Sequence, residues 1–195
     1  MNKRVILVTG TPCVGKTAVA KQLTAKLDAL YINLTDLANT HGLTLGEDKE
    51  RKTTIIDEEK MRAKMAETID AAEKTTVIVD GHYAAAVVPK SYVTRIFVLR
   101  RNPIELRSFM EKCGFQGAKL WENLASEILD VCLFEALREH EKEKVCELDV
   151  TGKTVEDAAS EVIAILDNRK RCRTGCVDWL GMLENQGLLG EYLKI

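Results

Sequence analysis

Residues 4–17 read RVILVTGTPCVGKT. The first six form a β-branched, apolar block, the pattern of a strand buried on both faces. A glycine-bearing turn follows, and from residue 15 the run GKTAVAKQLTAKL takes a helical pattern. The turn satisfies GxxxxGK(S/T), and its place between strand and helix gives the spacing a physical meaning. Glycines let main-chain N–H groups face inward around phosphate oxygens, and the helix N-terminus adds partial positive charge. On this reading Gly10, Thr11, Pro12, Cys13, Val14, Gly15, Lys16 and Thr17 cradle a triphosphate. Lys16 reaches the outer phosphates and the Thr17 hydroxyl holds Mg²⁺, so the implied ligands are a nucleoside triphosphate and Mg²⁺. A turn that merely capped a helix would leave the adjacent Lys and Thr unexplained.

Outward from the loop, TTVIVD (75–80) and TRIFVLR (94–100) are further buried strands, with ALYIN (29–33) and KVCELDV (144–150) weaker candidates. Helical patterns cover 15–27, 57–73, 103–112, 118–143 and 154–168. Apolar strands alternating with helices predict an α/β fold: three α/β/α layers around a five-stranded parallel sheet, with right-handed crossovers. The core spans 1–168. Residues 34–73 form an acceptor-binding insertion and 113–119, CGFQGAK, a short lid; the polar stretch 39–56 predicts no regular element, and EDKERK (47–52) reads as solvated loop. The tail, 169–195, joins a basic cluster to an apolar helical pattern. It reads either as helices docked on the core or as a partner-binding appendage.

A chain of 195 residues fits one domain, and a net charge of −2 gives no global field favouring nucleic acid or an anionic membrane. The apolar run near the N-terminus is too short for a secretory core segment, and no stretch approaches the roughly 18 apolar residues of a membrane span. These features predict a cytoplasmic protein, also nuclear in a eukaryote. Six cysteines contain no CxxC pair and read as small, reduced core residues. Cys172 and Cys176 could be half a metal site, but no second Cys/His pair follows.

A phosphate loop needs a carboxylate on a neighbouring strand to organise its metal. Asp80 ends an apolar strand and meets that need, with Gly81 and His82 after it. A strand-capping Asp and a structural His are the plainer alternatives. No guanine-reading NKxD is present, and the DVTG at 149–152 lies after the last strand. A small kinase, with core, insertion and lid, fits the layout.

The loop, YINLTDLA (31–38), VIVDGH (77–82), IFVLRRNP (96–103) and ENLASEI (122–128) together resemble the adenylate-kinase-like family. Within it they are similar to the nuclear and archaeal branch, the adenylate kinase isoenzyme 6-type proteins, over residues 3–168. The resemblance implies transfer of the ATP γ-phosphoryl to AMP, or to water when no acceptor is bound. It implies catalytic roles for Lys16, Asp80 and His82, with Asp80 and Thr17 at the metal. Tyr31, Asn33 and Asp36 fall where the acceptor site begins, though Asn and Asp there also read as helix caps. Gly152 and Lys153 fall in the turn that lies against the adenine in the family, and Arg100 is the candidate phosphate or adenine clamp. Lys119 is a further candidate nucleotide-binding residue, though it also reads as solvated helix-face charge. The branch acts in small-ribosomal-subunit maturation, implying a platform ribosomal protein and ribosomal RNA as partners. The chain departs from the family at Asn39 and Cys113, where arginines are frequent. That weakens AMP phosphorylation more than ATP binding.

Overall fold

The computed structural model describes residues 3–48 and 53–194. The stretch 47–52 therefore falls largely outside the described residues. The chain begins with β1 (Arg4–Thr9), α1 (Lys16–Leu27), β2 (Leu30–Asn33) and α2 (Leu34–His41), then β3 (Thr44–Asp48), β4 (Thr53–Ile56) and α3 (Glu58–Ala71). The second half holds β5 (Thr76–Asp80), α4 (Ala84–Val87), β6 (Val93–Arg100), α5 (Pro103–Lys112), α6 (Gly117–Ile128), α7 (Val131–Glu139), β7 (Val145–Asp149) and α8 (Val155–Leu166). Two short helices, α9 (Trp179–Asn185) and α10 (Leu189–Tyr192), end it.

β1, β2, β5, β6 and β7 form one parallel sheet in the order β2-β5-β1-β6-β7. The central strand shows why its apolar run is continuous. Ile6 and Val8 enter one core with α1, α5, α6 and α8, whereas Val5 and Leu7 enter the other with α3, α4 and α7. The expected layers and five strands are all present. Register sets Val8 and Asn33 beside Asp80 on either flank, so three strands deliver their carboxyl ends to the phosphate loop.

Three expectations need correction. The stretch 39–56 carries regular structure: the end of α2 and an antiparallel β3–β4 pair, supported by the β-branched run Thr53–Ile56. The helical pattern 118–143 breaks into α6 and α7 at Asp130, whose φ of 58° cannot continue a helix. Cys146 is not a reduced core thiol, because it forms a disulfide with Cys172 that ties the tail to β7.

The tail docks on the core. Trp179, Leu183 and Tyr192 are buried, and the last two join the cluster of α5 and α6 residues around Leu106, Met110 and Leu124. Among the described residues no helix is long and apolar enough to cross a membrane.

Candidate active site

Between β1 and α1 the chain turns through three residues of positive φ: Gly10 at 135°, Cys13 at 63° and Gly15 at 111°. A Cβ on Gly10 would run into the Leu99 carbonyl oxygen, so only glycine fits there. Cys13 has no such freedom; its left-handed backbone costs on the order of 1–3 kcal/mol, and such strain collects at binding loops. The Thr11 carbonyl accepts the Val14 N–H at 3.3 Å and closes the turn.

Lys16, the first residue of α1, folds back to donate to the Thr11 carbonyl at 2.8 Å. Burial holds its pKa below the ordinary lysine range, against the opposing pull of Asp80 and Glu127. An incompletely solvated ammonium beside an inward-turned loop suits a phosphate anion.

Asp80 is 1% exposed, and one of its oxygens, Oδ2, gathers three donors. These are the Thr17 hydroxyl at 2.7 Å, the Tyr31 hydroxyl at 2.8 Å and the Asn33 amide at 3.0 Å. Tyr31 is pushed up to about 12, chiefly by burial and also by Asp80, while Asn33 opposes, so it stays a donor at neutral pH. Mg²⁺ is commonly held by one or two protein oxygens, with phosphates and water completing its shell. The adjacent Thr17 hydroxyl and Asp80 carboxylate fit that pattern. Among the described residues no group of three or more His, Cys, Asp or Glu could hold a metal unaided.

His82 lies one residue beyond the strand-end glycine, and its main-chain oxygen accepts the Thr9 hydroxyl at 3.0 Å. Its ring meets Tyr83 edge-on at 4.8 Å and is exposed to a cavity. The cavity wall surrounds the ring, which therefore loses more hydration than its exposure alone suggests. That loss, with the charges of Lys16 and Lys119 and against Asp80, lowers its pKa to about 4. At neutral pH His82 is an uncharged imidazole, able to accept one hydrogen bond and donate another.

The cavity holds about 470 Å³ and opens from the loop at Thr11 and Pro12. His82 and Tyr83 form one wall, Thr35, Ala38 and Asn39 of α2 with Ile56 of β4 another. Phe115 between α5 and α6, Lys119 and Asn123 of α6, and Cys132 and Glu135 of α7 close it. The structure thus brings Lys16, Thr17, Asp80, His82 and Lys119 to one place.

It does not bring Tyr31, Asn33 and Asp36 into this cavity. Tyr31 and Asn33 are committed to Asp80, and Asn33 also caps α2 by accepting the Asp36 N–H at 3.0 Å. Tyr31, Asn33 and Asp36 together line a separate surface depression with Thr40 and His41. Helix periodicity explains the shift: Thr35, Ala38 and Asn39 share the face of α2 that meets the cavity.

Arg100 is likewise no phosphate clamp. It is 1% exposed, and its guanidinium bonds Glu127 at 2.9 Å, Glu147 at 2.6 Å and the Asp130 carboxylate. Its neighbour Arg101 takes the place beside the loop. Its Nε donates to the Val14 carbonyl at 3.2 Å and its guanidinium lies 4.8 Å from the Phe109 ring centre. Gly152 turns with φ 65° and donates to Glu105 at 3.0 Å, while Lys153 pairs with Glu161 at 2.6 Å. Asp149 of DVTG accepts the Thr151 N–H at 2.9 Å and is a plain turn residue.

Two residues escaped sequence reasoning. Glu127 is a buried hub, taking the Thr11 hydroxyl at 2.5 Å, the Arg101 N–H at 3.0 Å and the Trp179 indole at 3.1 Å. Asn123 lines the cavity one helical turn earlier. The spacing of Lys119, Asn123 and Glu127 was the available signal.

A protein-family profile described as "AAA domain" matches residues 6–130. A protein of Methanocaldococcus jannaschii described as "Putative adenylate kinase" is 38% identical over 89% of this chain and 92% of its own length. One of Pyrococcus furiosus with the same description is 36% identical over 92% and 93%. Among solved structures, shikimate kinase from Acinetobacter baumannii aligns with a TM-score of 0.61 at 13% identity, covering 87% of this chain and 96% of that one. A gluconokinase from Sinorhizobium meliloti aligns at 0.51 and 16% identity over 86% and 94%. At those identities the structural likeness shows the fold, a P-loop kinase core. With a strand-bound phosphate loop, a carboxylate beside its threonine and relatives matched over nine-tenths of their length, the chain belongs to the adenylate-kinase-like P-loop family.

Proposed function

We propose that the protein transfers the γ-phosphoryl group of Mg·ATP to AMP, forming two ADP, and passes it to water when no acceptor is bound. One observation carries this reading: the cavity opens from the phosphate loop and ends against the acceptor insertion, with His82 between. At about 470 Å³ it falls in the size range of small-molecule sites, roughly 300–1,000 Å³. The names of the relatives support AMP as acceptor.

In the transfer, the bond from the γ-phosphorus to the β–γ bridging oxygen breaks. A bond forms from an oxygen of the AMP phosphate, and the proton balance stays with the phosphates. Lys16 and the loop amides hold the triphosphate. Thr17 and Asp80 would hold Mg²⁺, which when bound would supply neutralisation of the phosphate charge. Tyr31 and Asn33 orient the Asp80 carboxylate. Neutral His82 offers a hydrogen bond at the cavity without adding charge. Lys119 supplies a cation from the lid side.

A second part of the proposal is a role in small-ribosomal-subunit maturation, with a platform ribosomal protein and ribosomal RNA as partners. It is supported by the sequence resemblance, and Asn39 and Cys113 in place of arginines favour hydrolysis as a substantial output. ADP formation at fixed Mg·ATP, with AMP, other nucleoside monophosphates, shikimate or no acceptor, tests the reading. AMP is expected to accelerate ADP formation most. A rate indifferent to every acceptor would contradict the kinase assignment, and no response to an added platform ribosomal protein would contradict the second part.

A further inference from the structure

A buried amide is nearly always hydrogen-bonded, because an unpaired one loses its hydration without recompense. Asn123 breaks that rule. It is 9% exposed, its Nδ2 is shielded from solvent and has no hydrogen-bond partner, and the residue lines the cavity.

Its position on α6 gives the orphan a direction. Lys119, Asn123 and Glu127 are successive i,i+4 residues and so share one stripe of the helix. At the Glu127 end the stripe is pinned to the phosphate loop through Thr11 at 2.5 Å and to Arg101 at 3.0 Å. At the other end the Lys119 charge is close enough to His82 to help lower its pKa. Asn123 stands between a side chain fixed to the loop and a cation beside His82. Packing does not require an amide there, since Leu120, Leu124 and Ile128 already carry the core contacts of α6.

The group passing between two phosphates spreads its charge over three equatorial oxygens, all acceptors. An amide N–H with no partner in the protein, on a residue that lines the cavity, matches that demand once a turn of the side chain brings it to the ligand. We infer that Asn123 is a catalytic residue whose Nδ2–H donates to an oxygen of the transferred phosphoryl group. The inference rests on the reading of the cavity as the acceptor site.

The test compares Asn123→Leu, Asn123→Asp and wild type for kcat, KM of each nucleotide and Tm. Leucine removes the donor at similar volume and the stranded polar group with it, so Tm is expected to hold or rise. The kcat is expected to fall about 10–100-fold, the loss of one hydrogen bond to a charged group, with KM for Mg·ATP within about threefold of wild type. Aspartate, an acceptor facing acceptors, is expected to fall further. Asn123→Ala repeats the measurement should leucine fail to fold. The inference is overturned by a leucine kcat within twofold of wild type, or by a loss confined to the KM of one nucleotide base. It is equally overturned by a loss that tracks a lowered Tm. If AMP accelerates wild type and the leucine variant equally, the inference alone fails. If no acceptor accelerates wild type, the acceptor reading fails and takes the inference with it.

Discussion

Lys16→Ala is expected to lower Mg·ATP turnover by about 100–1,000-fold, the usual consequence of removing a pre-organised group that meets developing transition-state charge. The loss follows from geometry. Lys16 already folds over the loop onto the Thr11 carbonyl, and its ammonium is the charge buried in that turn. Burial disfavours that charge in the ligand-free protein, so alanine should leave Tm unchanged or slightly raised. A single-turnover assay with thermal melts separates the two effects. Turnover close to wild type would remove Lys16 from the chemistry, and a collapsed fold would make it a structural residue.

Arg100→Leu is expected to act on stability. The guanidinium lies among Glu127, Glu147 and Asp130, and the first two are nearly inaccessible. Its removal leaves carboxylates facing one another without a cation. Breaking a buried pair from one side costs about 3–5 kcal/mol. At about 2–4 °C per kcal/mol for a chain of this size, Tm should fall by roughly 6–20 °C. Because Glu127 also holds Thr11, nucleotide affinity should weaken along with stability. A Tm unchanged in thermal melts would show that the network contributes no net stability. A variant that melts early yet keeps wild-type kcat at low temperature would confine Arg100 to the fold.

The two arginines show where sequence reading reaches its limit. The phosphate loop was legible because its chemistry is local: glycines, lysine and threonine lie within eight positions of one strand end. Asp80 was legible because an apolar strand delivers a side chain to the same edge as its parallel neighbours. Arg100 has the residue type of a phosphate clamp, but its partners lie 27, 30 and 47 positions away. No periodicity announces such a cluster. Tyr31 and Asn33 were placed at the correct strand end, but their bonds to Asp80 were not legible. The carboxylate that accepts from both side chains lies 47 residues beyond Asn33. The Cys146–Cys172 disulfide joins positions 26 apart, and only the docking of the tail along β7 brings them together. The break at Asp130 was hidden for a related reason, since its carboxylate turns back to Arg100.

The central claim is that the loop amides, Lys16, Thr17 and Asp80 form one site for a magnesium-bound triphosphate. Calorimetric titration of Mg·ATP into the folded protein tests it most directly. One saturable event per chain is expected, weakened when magnesium is withdrawn and weakened again in Asp80→Asn, whose carboxylate charge is gone while its shape remains. No heat on titration, or equal affinity with and without magnesium in both proteins, would contradict it.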